Sequence, residues 1–531
     1  ASGKWYYEVK TKASTNTGYP VYGWHNIAAP GIVDGYPGAA RTNSCWGIGV
    51  GPYTGDGYLR LYVNNSGTYS LTYPASDLWN TNDIIMIAFD ADTGKFWAGK
   101  NGVWYNSGDP ANGTNPLATY TTSNQTLWTP GGSTYDAGAV YFNFGQQPFR
   151  GAYASGSGNT YTGTGTPPAG FKALHTGNLP NSTIYKGRKY FDVATRVGSG
   201  AAATVTGIGF QPDFVWSKIR NDTGSHYLAD AVRGANKVLS TNNTNQESPG
   251  STITAFTNDG YSVDASLSIF NKTYVDWLWR AGNTTVTNTA GTNSATISST
   301  YSVNNIAKFS IVTYSGNNLA GAKIAHGLGS SPDFMIIKNR TTGSTGWPVY
   351  HRGQGVNNVP YLNDATAYFT KTGIFNNTQP NSSVFTVGGN SVDGYTLTNQ
   401  QNNNYVAYCW AEVPGYSKFG TYTGNGADDG VFVYCGFRPR WILIKSTTAN
   451  NYWAIVDSAR NSYNVVNGEL NPHLTVQELA GGGATSTNVD FLSNGFKLRG
   501  AVSNNTDAKF IYAAFAETPF KYANARGNSQ T

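Results

Sequence analysis

Three copies of one short strand constrain this chain more than anything else in it. Pro212-Asp213-Phe214-Val215-Trp216-Ser217-Lys218 returns as Pro332-Asp333-Phe334-Met335-Ile336-Ile337-Lys338 and again as Pro439-Arg440-Trp441-Ile442-Leu443-Ile444-Lys445. A glycine-bearing turn precedes each copy: Gly207-Ile208-Gly209, Gly327-Leu328-Gly329 and Cys435-Gly436-Phe437. An arginine follows (Arg233, Arg352, Arg460), then an Asp/Asn-Gly-aromatic turn at Asp259-Gly260-Tyr261, Asp393-Gly394-Tyr395 and Asn494-Gly495-Phe496. Each unit closes on an aromatic strand, Tyr274 to Ala281, Tyr405 to Glu412 and Phe510 to Glu517. Landmarks repeated in one order at a spacing of roughly 110 residues dictate tandem whole domains rather than a short solenoid repeat.

The 531 residues exceed what one core can use, so further domains are required beside the repeats. Charged residues are 12% of the chain, aromatics 14%, and there are 64 glycines; this is the balance of a turn-rich all-β protein that works outside the cell or on a particle surface. The formal charge of +6 is spread along the chain without a Lys/Arg cluster, which argues against a nucleic-acid partner. Cys45, Cys409 and Cys435 show no metal-ligand spacing and read as small buried hydrophobes, with a Cys409–Cys435 bridge as the alternative. No apolar run has the length of a membrane-spanning helix or a signal peptide, so no membrane insertion is expected.

The first third reads as strands. Lys4-Trp5-Tyr6-Tyr7-Glu8-Val9-Lys10 alternates, with Trp5, Tyr7 and Val9 on one face, and predicts a half-buried strand. Cys45 to Val50 is a second strand, and the apolar Ile84 to Phe89 a third, central one. Asn101-Gly102 between Lys95 to Ala98 and Val103 to Tyr105 is a strong hairpin signal, and Ala139 to Gly145 is a late strand.

These segments, in this order, resemble the SPRY domain, a concanavalin-like β-sandwich; the carrying residues are Gly3 to Val9, Trp46 to Val50, Ile87 to Asp90, Gly99 to Trp104 and Phe142 to Gln146. SPRY domains carry a strand or two ahead of the Trp-Tyr-Tyr-Glu strand, so the resemblance implies a domain that is N-terminally incomplete here or borrows a strand. It also implies a binding role, with ligands on loops at one end of the sandwich. The loops at 11–43 and after Tyr105 supply the candidates Tyr22, Trp24, His25, Tyr36, Asn106, Asp109 and Asn112, because ring faces stack on sugars and amides read hydroxyls. For any single aromatic among them, the alternative is plain core packing.

The expected fold is all-β: a SPRY-like sandwich over 1–174, a linker at 175–189, then three β-sandwich repeats as beads on a string. The repeats occupy 190–282, 307–413 and 414–525, with a Thr/Asn-rich linker at 283–306 and a tail at 526–531. The loops differing most between repeats, 239–252, 357–390 and 461–490, are where recognition is expected.

No catalytic signature stands out. None of the six histidines lies in a nucleophile motif, and there is no phosphate loop or His/Cys metal spacing, so no enzyme activity, cofactor or metal is expected. Asp230 with Arg233, and Asp457 with Arg460, recur at one repeat position and read as ion pairs bracing a turn, with Val349 standing at the aspartate position of the second repeat.

A SPRY-like domain followed by such repeats resembles tail-fibre and other virion-surface fibre proteins of tailed bacteriophages. That resemblance implies an extracellular, virion-surface location, with host-surface glycan or receptor and other virion proteins as partners, and homotrimerisation as one arrangement fibres use. The alternatives are a structural capsid-decorating or tail-spacer fibre, and a polysaccharide depolymerase, which can lack a local signature.

Overall fold

The computed structural model describes residues 3–12, 21–26, 47–53, 58–63, 68–71, 79–80, 82–119, 128–133, 139–145, 149, 166–174, 184, 186–250, 252–390, 392–479, 487–500 and 503–517. The chain forms two compact units, 1–180 and 181–531. Regular structure among the described residues is β-strand with short 3-10 turns, as the sequence predicts. No described helix is long and apolar enough to cross a membrane.

The first unit is two antiparallel sheets facing each other. One runs Ala139–Asn143, Lys4–Lys12, Ile84–Asp90, Lys95–Lys100, Val103–Trp104; the other runs Trp128–Ser133, Val21–Asn26, Gly47–Tyr53, Tyr58–Val63, Thr68–Leu71. Trp5, Tyr7, Val9, Ile85, Ile87 and Phe89 from the first meet Tyr22, Trp24, Val50, Leu59 and Leu61 from the second. The predicted hairpin forms, with Asn101 (φ 51°) and Gly102 (φ 89°) both left-handed as a type I′ turn requires. Lys4–Lys12 is not half-buried, however. Tyr6 on its other face is covered by Phe149 and Phe171, and the Tyr6 hydroxyl donates to a buried Glu8 carboxylate at 2.8 Å.

In the second unit every repeat is built alike. Its opening strand, closing aromatic strand, Pro-x-aromatic strand and the strand after it lie side by side: Phe191–Val197, Thr273–Trp279, Phe214–Ile219, Tyr227–Asp230 in the first. The second repeats this with Phe309–Ser315, Asn404–Trp410, Phe334–Asn339, Val349–His351, and the third with Ser417–Thr423, Lys509–Ala516, Pro439–Ser446, Ala454–Asp457. A smaller sheet covers one face; in the first repeat Val215, Ile219, Tyr274 and Leu278 pack beneath Tyr261 and Val263. The turn glycine is obligatory for this cover: a Cβ on Gly260 or Gly495 would sit 1.8 or 2.1 Å from the carbonyl oxygen of Val205 or Val433.

The opposite faces of the three large sheets meet one another. Phe191, Phe214, Trp277 and Trp279 of the first repeat, Phe309, Phe334, Tyr408 and Trp410 of the second, and Phe419, Trp441 and Phe515 of the third belong to one buried cluster. The string of separate beads is therefore replaced by three sandwiches closed around a common aromatic core. The signal was present in the strands, since Phe214 to Trp216, Phe334 to Ile337 and Trp441 to Ile444 are continuous apolar runs, as strands buried on both faces must be. The expected linker 283–306 is also structured: Val286–Asn288 and Ser299–Asn304 extend the second repeat's large sheet.

Candidate functional site

The residues proposed for ligand contact separate into three groups. Tyr22 and Trp24 are core residues, 0% and 1% exposed; Tyr22 stacks on Trp79 at 5.2 Å and Trp24 packs on Tyr7 and Phe89. Alternation along Val21–Asn26 turns both rings into the sandwich, so the packing alternative holds for them. The His25 side chain and all of Tyr36 lie outside the described residues. Asn106, Asp109 and Asn112 share the loop after the hairpin, where Asp109 and Asn112 meet.

That loop is pinned from below. The Trp97 indole donates to Thr114 O at 2.8 Å, the Lys95 ammonium to Gly113 O at 2.9 Å, and the Trp79 indole to the Tyr105 hydroxyl at 3.0 Å. Asn106, Ser107 and Asn115 all hold positive φ, a conformation the surrounding contacts must enforce. Asn112 Nδ2 donates to Asp109 Oδ2 at 2.6 Å and Asn106 Nδ2 to Pro116 O at 3.2 Å. The Asn112 contacts hold the Asp109 carboxyl below its usual range. These amides first fix the loop's shape and then present it.

Ionisable groups in strongly altered surroundings lie elsewhere, between the repeats. Asp230 and Arg233 form a fully buried pair at 2.5 Å, and Asp230 also accepts the Tyr408 hydroxyl of the second repeat at 2.8 Å. Asp457 and Arg460 pair at 2.6 Å, and Asp457 accepts the Trp277 indole of the first repeat at 3.0 Å. Glu247 completes the first junction with Arg340, and Glu478 the other with Arg220, each through two hydrogen bonds. The structural reading of these pairs stands, and their reach across repeats extends it.

The third junction differs, and register corrects one assignment. Asp230 pairs with Phe214, Asp457 with Trp441, and His351 with Phe334, so His351 rather than Val349 occupies the aspartate position. The His351 ring accepts the Gly353 N–H on Nδ1 at 3.0 Å, which puts its proton on Nε2, 3.2 Å from Tyr512 O. Burial pushes its pKa down to about 4. An uncharged donor suits a neighbour that offers a carbonyl oxygen instead of an O–H or N–H.

Three buried lysines close the same ring. Lys338 Nζ reaches Thr244 O of the first repeat at 3.0 Å, Lys218 reaches Thr475 O of the third at 3.3 Å, and Lys445 reaches Ala365 O of the second at 2.9 Å. Burial pushes Lys218 down to about 8 and Lys338 and Lys445 to about 7. The acceptors lie in the three loops expected to serve recognition, so those loops devote part of their length to holding the neighbouring repeat.

One open groove is formed by described residues of the second repeat. It measures about 230 Å³ and is lined by Thr287, Ser298, Thr300, Thr313, Arg340 and Asn404, with Ser299 and Tyr314 beneath. No group of His, Cys, Asp and Glu among the described residues could hold a metal ion.

The family model for a domain of unknown function, DUF7483, matches residues 186–519. The chain belongs to the DUF7483 family. No curated protein matches it. Among solved structures the chain is similar to the NanB sialidase from Streptococcus pneumoniae, as a point mutant and in complex with a chlorobenzylammonio-ethanesulfonate. Each shares 9% identity, covers 92% of this chain and 71% of that one, and has a TM-score of 0.15, too low to carry an argument.

The DUF7483 match begins and ends with the closed three-repeat unit, and its groove was not found from sequence. Ser298-Ser299-Thr300-Tyr301 does alternate, with Ser299 and Tyr301 buried, but hydroxyl side chains on both faces hide the period from a hydrophobicity reading.

Proposed function

We propose that this chain is a non-enzymatic binding protein of a tailed-bacteriophage virion surface that recognises host-surface glycan. The reading rests on one division of labour. Asp213, Lys218, Lys338, Lys445, His226 and His351, whose pKa values burial displaces, are fully buried, whereas the loop at 105–117 presents amides, hydroxyls and one carboxylate, Asp109, which its Asn112 contacts hold below the usual range and so keep from serving as an acid. A catalyst needs its displaced group in an open cleft; a reader of uncharged hydroxyls needs fixed amides. Purified protein is expected to bind host cells and their extracted polysaccharide without releasing reducing sugar. Absence of binding, or reducing-sugar release, would remove the proposal.

A second reading, a capsid-decorating or tail-spacer fibre, is favoured by the closed aromatic core, which joins the three repeats into one packed unit suited to spacing. Labelling the chain on intact particles separates the two: tail-tip label supports recognition, and label across the head supports decoration.

A further inference from the structure

The strands that stand where a linker was expected build a row of hydroxyls. Register places Thr287 beside Thr300 and Thr300 beside Thr313, on three adjacent strands, so neighbouring side chains are about 4.8 Å apart. They continue the face that supplies Phe309 and Ile311 to the common core, at the point where it emerges from that core. Ser298, Asn404 and Arg340 complete the groove.

Its charge is close to balanced. Arg340 Nε and Nη2 each donate to Glu247 at 2.9 Å, and Glu247 also meets Arg233, itself paired with Asp230, so two guanidiniums face two carboxylates. Nothing in that arrangement favours a free anion. Thr313 Oγ1 donates to Thr300 O at 3.2 Å, which turns its lone pairs outward, and Ser298 Oγ accepts from Ala290 N at 3.0 Å, which leaves its proton to give. Arg340 Nη1 has no partner among the described residues, and Asn404 is exposed. Donors and acceptors alternate over a short span, and Tyr314 below is stacked on Tyr405 at 5.1 Å and offers no open ring face. At about 230 Å³ the groove is smaller than the roughly 300–1,000 Å³ of a drug-sized pocket and is open along its length, so it suits one segment of a longer chain.

We infer that this groove is a second carbohydrate site, taking an uncharged, polyhydroxylated sugar segment; the inference rests on the glycan-binding reading and locates part of it in the repeats. The test uses the full chain on an array of neutral and N-acetylated oligosaccharides, with the strongest binder then titrated calorimetrically and inorganic phosphate as a competitor. Thr300→Val, Thr313→Val and the exposed Asn404→Ala are each expected to weaken that binder about tenfold, the loss of a hydrogen bond to a ligand hydroxyl, with an unchanged melting temperature for Thr300→Val and Asn404→Ala and a slightly lowered one for Thr313→Val, which also loses its bond to Thr300 O. Affinity within twofold of the parent for all three would overturn the groove and leave the glycan reading intact. No binding by any oligosaccharide would overturn both. Competition by phosphate at the groove would overturn the neutral ligand class. Should a valine variant unfold, Asn404→Ala alone decides.

Discussion

Trp279→Ala tests whether the three repeats are one cooperative body. Trp279 is 1% exposed, and its ring lies 4.7 Å from Phe191 and 5.4 Å from Phe214 in its own repeat, 5.9 Å from Trp410 in the second, and 5.6 Å from both Trp441 and Phe515 in the third. Removing such a ring costs about 3–5 kcal/mol in transfer and cavity terms. For residues 181–531 an unfolding entropy of about 2.1 cal/mol/K per residue sums to about 0.7 kcal/mol/K, so the melting temperature falls by about 4–7 °C. Cys409 and Cys435 are free, buried reporters in the second and third repeats. Per-residue thiol labelling against temperature is expected to show both becoming reactive together, at the lowered temperature, although the substitution is in the first repeat. If both keep their parental midpoints while the first repeat melts, the repeats are separate beads and the common core is refuted.

Asp230→Ala leaves the buried Arg233 guanidinium with Glu247 as its remaining carboxylate partner and is expected to cost about 3 kcal/mol in a denaturant titration, the low end for breaking a buried pair, whereas Asp230→Ala with Arg233→Met recovers part of that loss. Gly260→Ala places a methyl against Val205 O and is expected to lower the melting temperature of the three-repeat unit, while alanine at the uncrowded Gly343, whose nearest contact would be 3.8 Å, has a smaller effect. Lys218, Lys338 and Lys445 have folded pKa values near 8, 7 and 7, below the ordinary 10.5, so the unfolded chain binds more protons above pH 7 and stability rises with pH from about 7 to 9.5. Thermal melts should show that slope, and Lys338→Met should flatten it. His326, His351 and His473, held near 4 by burial, give the same sign at lower pH: their contribution is complete above about 6.5 and is lost as pH falls toward 4.

Much of the candidate site was illegible for a definite reason. Tyr22 and Trp24 occupy a loop-like stretch in sequence, and only the pairing of Val21–Asn26 with Gly47–Tyr53 shows which way their rings point. Val349 looked like the aspartate equivalent because counting from the arginine ignores the register of the strand; the pairing of Phe334 with His351 supersedes the count. Asn106, Asp109 and Asn112 were found because turn chemistry is local; Asp259 was read as a turn residue on the same ground, but its carboxylate reaches across to accept the Gly207 and Gly209 N–H groups of a distant turn, which local chemistry does not show.

The sequence by itself determined the all-β class, the threefold repetition, the hairpin at Asn101-Gly102 and the turn-bracing pairs Asp230–Arg233 and Asp457–Arg460. The repetition is legible by comparing the chain with itself, and the rest depend on residues within a few positions of one another, where periodicity and turn preference act directly. Tertiary structure alone decided that the repeats close on a common core, that Lys218, Lys338 and Lys445 cap carbonyls of their neighbours, and that Thr287, Thr300 and Thr313 line up. Those outcomes depend on which strand pairs with which and on what covers the second face of each sheet. A continuous apolar run requires that both faces be covered, but it leaves the identity of the cover to the packing of distant segments.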